Sequence, residues 1–399
     1  MLQLVRISAV LGSLAFAASA LGADAVKIVS SLPRTGSANA QTTSMVNGIK
    51  MAIAEVGGKI GDIEIAYEDW DDASPQRGNW DPAVEAQNAD KAKADQTVVA
   101  YIGTYNSGAA KISMPKLNEA GIVMVSPANT APNLTKEGFG EKNEPAVYRP
   151  SGKINYFRVV PTDDVQGAVA ADFAKELGAK KVFVLNDREV YGKGVAGVFE
   201  RRAKEIGLEI VGTDGLDGKA SNYKSLVTKM KQVGAEVVYF GGTTQTNAGQ
   251  LAKDIVTAGL KAKLIVPDGC YEKAFIEAAG EKALEGRVYI TFGGVDPKLL
   301  EGKGKEFYEG YKKSYSAEPE GYAVYGYEAT KVVISAMQRI HAAGGKITRA
   351  SVLEEVGKTK DFAGALGTWS FDANGDTTNR TMSVNTVKDG DFSTVKVVN

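Results

Sequence analysis

The chain has little of the residues that most enzymatic chemistry uses. It holds one histidine, His341, and one cysteine, Cys270, in 399 residues. A Ser-His-Asp or Cys-His arrangement would have to use His341, and no multi-histidine metal site can form. A lone cysteine excludes an intramolecular disulfide, a Cys-x-x-Cys motif and a zinc ribbon. There is no excess of either charge. The 47 basic and 48 acidic side chains leave a net charge of -1, without the basic footprint that a nucleic-acid binder carries. A phosphate-cradling G-x-x-x-x-G-K-[ST] loop is missing, and beyond the first residues no apolar run approaches a membrane span. What is present is the balance of an ordinary globular protein, 44% hydrophobic and 24% charged, in a chain long enough for two domains or one unusually large one.

The N-terminus carries a compartment signal. Arg6 precedes the apolar stretch Ile7–Ala18, which is too short to span a bilayer comfortably. Small residues follow and permit cleavage after Ala20, Gly22 or Ala25, so residues 1–25 are expected to be a secretory signal peptide. A buried first helix is the alternative, although the stretch has no polar face. No cysteine stands directly after the apolar run, so the expected product is exported, soluble and periplasmic, not a lipoprotein.

From residue 26 onward, short apolar runs alternate with helical patterns. Val98–Ile102, Ile122–Val125, Val182–Leu185, Val237–Phe240 and Leu264–Val266 have the continuous apolar character of buried parallel strands. Met45, Ile49, Ala52, Ile53 and Val56 share one helical face, closed by Gly57 and Gly58. Val165, Val169, Phe173 and Leu177 recur every four residues and stop at Gly178, predicting a helix with that buried face. Alternating strand and helix is the pattern of an α/β fold with parallel sheets covered on both faces.

An internal repeat divides the chain. Ile63-Glu64-Ile65 matches Leu208-Glu209-Ile210, Tyr101-Ile102-Gly103-Thr104 matches Tyr239-Phe240-Gly241-Gly242, and the strand ending at Pro127-Ala128 matches the one ending at Pro267-Asp268. The falling offset points to a few extra residues in the first copy near Arg77–Pro82. Two similar α/β lobes follow, the second beginning near Pro161, with a ligand expected in the cleft where their strand ends face each other.

Several motifs have plain structural explanations. Gly192-Lys193-Gly194-Val195-Ala196-Gly197 fits G-x-G-x-x-G, but Asn186–Tyr191 intervene after the strand, whereas a dinucleotide fingerprint starts at the strand end. Asp69-Trp70-Asp71-Asp72 and Asp372-Ala373-Asn374-Gly375-Asp376 are acidic clusters suited to turns and caps. The second opens like a calcium loop yet has Thr381 where that loop needs glutamate. His341 sits near the end of a helix predicted over 323–343, where it complements the helix dipole. Cys270 is expected to be an inert small side chain.

The polar residues directly after the predicted strands are more informative. One lobe offers Thr104, Tyr105, Asn106 and Ser107 at a helix start, and Ser126, Ala128, Asn129 and Thr130. These suit a carboxylate. The other offers Tyr191, Thr243 and Asp268, which suit an ammonium. A zwitterion held across the cleft accounts for both sets. Helix capping and turn formation by the same residues is the competing account.

At these residues the sequence resembles the type I periplasmic substrate-binding proteins of ABC transporters, in the leucine/isoleucine/valine-binding branch. The resemblance rests on Tyr101-Ile102-Gly103 with Ser107, on Ser126-Pro127-Ala128-Asn129-Thr130-Ala131-Pro132-Asn133-Leu134-Thr135, on Tyr191-Gly192-Lys193-Gly194, on Tyr239–Gly242 and on Pro267-Asp268-Gly269. It implies two Rossmann-like lobes on a three-segment hinge, with 26–160 and 292–365 in the first and 161–291 and 366–399 in the second. It implies that the ligand carboxylate meets Ser107 and Thr130, and that the ammonium meets the Ala128 carbonyl and Asp268. Tyr191 and Tyr327 would line the cleft. Where the family has tyrosines over the side-chain pocket and in the second lobe, this chain has Gln41 and Thr243. Where the archetype has a disulfide, it has Ser74 and Asn106. Tyr105 completes the expected ligand set.

The expected function is therefore a non-enzymatic receptor, a monomer without cofactor or metal, that delivers a small and aliphatic amino acid to the permease of an ABC importer. An amide, urea or aromatic acid ligand, or service to a sensor, is the nearest alternative. A nicotinamide-dependent oxidoreductase using Gly192–Gly197 is the distant one.

Overall fold

The structure is a computed structural model that describes residues 25–399. The expected leader, with the Ala20 and Gly22 cleavage sites, lies outside these residues. Two parallel-dominated sheets organise the chain, and both are wound in the same order. In the first, Val26–Leu32 is flanked by Ile63–Asp71 on one side and by Val98–Gly103, Val123–Ser126 and Tyr156–Arg158 on the other, all parallel. In the second, Lys181–Asn186 is flanked by Glu209–Gly215 and by Val237–Gly241, Lys263–Val266 and Val288–Gly293. The parallel strands of each sheet thus run second, first, third, fourth, fifth in chain order, with the short Lys59–Ile60 strand added antiparallel at the edge of the first sheet, the doubly wound arrangement whose strand order reverses beside the first strand. The three sequence matches of the internal repeat fall on the second, third and fourth strands of each sheet.

The extra residues of the first copy form a small hairpin, Ala73–Ser74 against Asn79–Trp80. Trp80 is buried by packing on Gly108, where a Cβ would lie 2.6 Å from its ring. The second sheet carries an addition that the parallel pattern does not contain. Met382–Lys388 pairs antiparallel with Val288–Gly293, and Asp391–Val398 pairs antiparallel with it in turn. The chain passes between the sheets three times: after Arg158, after Gly293 and before Met382.

Helices cover both faces of the sheets. Asn39–Ala54 ends at Gly57 and Gly58, both with positive φ, as glycines past a helix end allow. It packs on the Ala323–Ala342 helix, where Gly48 and Gly326 permit backbone contact. The Asp163–Glu176 helix departs from its predicted face. Val165, Val169 and Leu177 are only partly buried, while Gln166, Gly167, Ala170, Ala171 and Ala174 face inward with Phe173. The reason is close helix approach. A Cβ at Gly167 would lie 2.8 Å from that of Val198, so small residues occupy the contact and the bulkier valines pack at its margin. Among the described residues no helix is long and apolar enough to cross a membrane.

Candidate ligand-binding site

The loops after the strands of the two sheets meet in one slot. The first lobe contributes Tyr105, Asn106, Ser107 and Ala128, and the second contributes Tyr191, Thr243, Asp268 and Gly269. Tyr322, just before the Ala323–Ala342 helix, closes one side. The slot is narrow, with a volume of about 20 Å³, room for about one water molecule.

On the first-lobe wall, Ser107 starts the Ser107–Glu119 helix, whose N-terminal amides favour an anion. Its hydroxyl accepts from the Ala131 amide at 3.4 Å. Asn129 joins the two loops of this wall. Its amide nitrogen donates to the Tyr105 carbonyl at 3.0 Å, and its side-chain oxygen accepts from the Thr104 amide at 3.3 Å and the Tyr156 hydroxyl at 3.1 Å. Arg158, wholly buried, braces the same segment from behind. It donates to the carbonyls of Asn129 and Ala131 at 3.0 and 2.9 Å, to the Thr135 hydroxyl and to Asp376 Oδ1 at 2.6 Å. This network gives the Ser126–Thr135 run its shape. It also gives the Asp372–Asp376 cluster its task, a turn that supplies Arg158 with a counter-charge.

On the facing wall, the Asp268 carboxylate is buried among donors. Oδ1 accepts from the Tyr191 hydroxyl at 2.5 Å and the Gln166 amide at 2.7 Å, and Oδ2 accepts from the Tyr322 hydroxyl. Burial raises its pKa, while the hydrogen bonds from Tyr191, Tyr322 and Gln166 work against the rise. Gln166 is fully engaged. Its oxygen accepts from the Asp268 amide at 2.8 Å and the Thr291 hydroxyl at 3.0 Å, and its nitrogen also donates to Asp163 at 3.0 Å. Asp163 is likewise buried, and burial and then the charge of Asp268 push its pKa upward. Two buried acids, with no cation among the described residues beside Asp268, make an electrostatic attraction for a positive group.

The structure thus brings together Tyr105, Ser107, Ala128, Tyr191, Thr243 and Asp268 of the expected ligand set. Thr130 stands behind the slot with its backbone oxygen on the Asp163 amide at 2.9 Å. Gln41 is also buried behind it, donating to the Tyr271 carbonyl and accepting from the Tyr322 amide, both at 3.2 Å. Tyr327 is placed elsewhere. Its hydroxyl meets Glu55 at 2.8 and 2.9 Å, on a surface pocket shared with Lys331. Five residues along a helix turn a side chain by roughly 140°, so Tyr322 reaches the slot and Tyr327 cannot. Sequence reading missed Tyr322, Gln166 and Asp163. The only signal for the latter two was a polar pair at the start of a helix, which capping explains equally well.

Gly192, Gly194 and Gly197 lie inside the Val190–Glu205 helix and not in a strand-end turn. A Cβ at Gly192 would lie 2.1 Å from Asp187 Oδ1 and 2.3 Å from the Gly241 carbonyl. Its glycine is therefore needed for helix-to-sheet contact, and no pyrophosphate loop exists there.

Comparison with known proteins bears on the whole chain. A family model described as periplasmic binding protein matches residues 25–391. An "Amino acid binding protein" of Pseudomonas aeruginosa is 32% identical over 239 residues, 60% of this chain and 59% of that protein. The "Leu/Ile/Val-binding protein homolog 2" of Brucella abortus is 31% identical over 353 residues, 86% of this chain and 85% of that one. Among solved structures, a leucine-binding protein from Thermotoga maritima superposes with a TM-score of 0.82 at 28% identity, covering 94% of this chain and 99% of its own. A Rhodopseudomonas palustris solute-binding protein in complex with 4-hydroxybenzoate, at 20% identity and a TM-score of 0.79, shares the fold alone. With the family match spanning nearly the whole described chain, and a two-lobed fold with its slot between strand ends, this chain belongs to the periplasmic binding protein family.

Proposed function

We propose that the protein is an exported solute receptor that captures a small α-amino acid between its lobes and presents it to the permease of an ABC importer. The observation that carries this reading is that the buried Asp268 carboxylate and the Ser107 helix N-terminus line the same narrow slot. An α-ammonium would take the acid and an α-carboxylate the serine and the helix end. The lobes are taken as 26–160 with 292–365 and 161–291 with 366–399, and ligand binding involves no bond making or breaking. A side chain of aliphatic size is supported by the relatives named for leucine, isoleucine and valine. An aromatic acid is disfavoured, because a ligand with no ammonium would leave Asp268 facing an anion.

The test is a thermal-shift screen of ligand-stripped protein against amino acids, amides, urea and aromatic acids. A ligand that binds only the folded state raises the melting temperature with concentration. A response to α-amino acids and none to their des-amino analogues is expected, and the reverse order would overturn the reading. Intact mass of the exported protein checks the leader. It should begin between Leu21 and Val26, without an acyl chain.

A further inference from the structure

Buried polar atoms without partners cluster around the slot. Some lie against the residues that hold Asp268, such as Thr130 Oγ1 and Asp163 Oδ2. A second group belongs to no part of it. Both carboxylate oxygens of Glu272, both polar atoms of the Gln245 amide and the Tyr105 hydroxyl have no hydrogen-bond partner and no solvent contact. Glu272 is 1% exposed and Tyr105 is 6% exposed. Native interiors rarely leave such groups unpaired, since each forfeits its hydration without compensation. Here an acceptor, an amide and a hydroxyl do so side by side.

These groups are connected to the slot through Tyr105, which lines it two residues before Ser107. Gln245 stands beside the Tyr105 hydroxyl. Tyr105 is pushed up first by burial and then by the nearby Glu272 carboxyl. Glu272 lies four residues beyond Asp268, opens the Lys273–Ala279 helix and neighbours Thr244. Burial raises its carboxyl to about 8, so at neutral pH it is mostly protonated, able both to donate and to accept. A ligand side chain directed past Tyr105 would therefore meet an acid, an amide and a phenol that touch one another and Thr244 only loosely, none of them in a well-formed hydrogen bond. An aliphatic side chain would leave every one of them unpaired.

We propose that Glu272, Gln245 and Tyr105 form a polar subsite for the end of the ligand's side chain, selecting small α-amino acids that carry a hydrogen-bond donor there over aliphatic ones of the same shape. The inference rests on the amino-acid reading above and narrows it. Aliphatic size is kept, and a hydroxyl or amide is added at the tip.

Calorimetric titration with two shape-matched pairs, leucine with asparagine and valine with threonine, tests it. A site built around a hydrogen bond rejects the analogue lacking it far more strongly than an apolar pocket rejects an added polar group. The wild type should bind the polar member of at least one pair about tenfold or more tighter. Glu272→Met should erase that preference. Glu272→Gln, which keeps donor and acceptor, should retain most of it. Tyr105→Phe removes one oxygen and serves if the methionine variant does not fold. It should weaken the polar member about three- to tenfold and leave the aliphatic one within about twofold. Equal or tighter binding of the aliphatic member in both pairs overturns the subsite alone. So does a preference that survives both Glu272→Met and Tyr105→Phe. If none of the four amino acids binds, it is the amino-acid reading that fails.

Discussion

At the scale of single residues, the arrangement turns on Asp268 and the three donors that hold it. The carboxylate is buried, and Tyr191, Tyr322 and Gln166 satisfy it, so under the proposed amino-acid reading a ligand ammonium would meet an acid already fixed in orientation. Asp268→Ala should lower affinity for an amino acid by roughly 30- to several thousand-fold, because removing one partner of a buried charge pair costs on the order of 2–5 kcal/mol. A des-amino analogue should lose little more on the same change, and titration of both ligands on both proteins isolates the coupling. Affinity within about threefold of wild type would reduce Asp268 to a turn former. The structure gives it three donors that lose their acceptor in the alanine variant, so some stability is lost as well. Strand-end residues such as Ser107 and Asp268 were legible because an α/β sheet places its ligands there. Gln166 and Tyr322 were not legible. Their partner Asp268 lies 102 and 54 residues away in sequence, and neither residue type announces such a bond.

At the scale of elements, the Val190–Glu205 helix shows how a glycine pattern is explained by packing. Gly192 presses on the Gly241 backbone at the end of the Val237–Gly241 strand, and Gly194 faces open space. Gly192→Ala should therefore destabilise the protein by about 1–3 kcal/mol through overpacking. Gly194→Ala should stabilise it by up to about 1 kcal/mol through helix propensity. Chemical denaturation of the two variants measures the contrast, and equal effects would remove the packing argument. The strands themselves were readable to within a residue or two, since Val182–Leu185 and Val237–Phe240 are continuous apolar runs buried on both faces. The antiparallel pair Met382–Lys388 and Asp391–Val398 was not. Its last strand is only partly buried, and its mixed Ser, Thr, Lys and Val sequence carries no signal of which sheet it joins. The Asp163–Glu176 helix was found, but its inner face was misassigned, because apolar periodicity favours valine over the glycine and alanine that close helix contact requires.

At the scale of the whole molecule, buried acids set how stability varies with pH. Burial lifts Glu85 and Asp187 to about 7 and Glu272 to about 8, against 4.5, 3.8 and 4.5 in an unhindered chain. Between those limits the folded protein keeps protons that the unfolded chain has released, so stability falls as pH rises from about 4.5 to 8. Glu68 and Asp95 act oppositely. Lys27 dominates at Glu68, while at Asp95 burial is outweighed by Lys27 and Thr97, and both are held at about 2. Their contribution is present above about pH 4.5 and lost as pH falls toward 2. Calorimetric melting temperatures should therefore peak near about pH 5, and a flat or rising profile from there to pH 8 would contradict the burial argument. The same buried slot constrains how a ligand enters. At about 20 Å³ the slot is narrower than an amino acid needs, so the lobes are expected to part and close again around it. Contacts that cross between the lobes include Tyr322 to Asp268, Gln41 to Tyr271, Lys273 to Glu320 at 3.4 Å and, nearer the surface, Arg77 to Glu189 at 3.5 Å and Lys136 to Asp164 at 3.0 Å. Each is worth on the order of 1 kcal/mol once water competes for the separated groups. A ligand that bridges both walls adds its own hydrogen bonds to the closed form only, and so shifts the population toward it. Small-angle scattering of the ligand-stripped protein should give a radius of gyration that falls on saturation with the ligand identified by thermal shift. Tyr322→Phe, which deletes one of the closing contacts, should enlarge the ligand-free value or leave it unchanged, and should never lower it. A radius unaffected by saturating ligand would mean that the lobes do not hinge, and that entry follows another route.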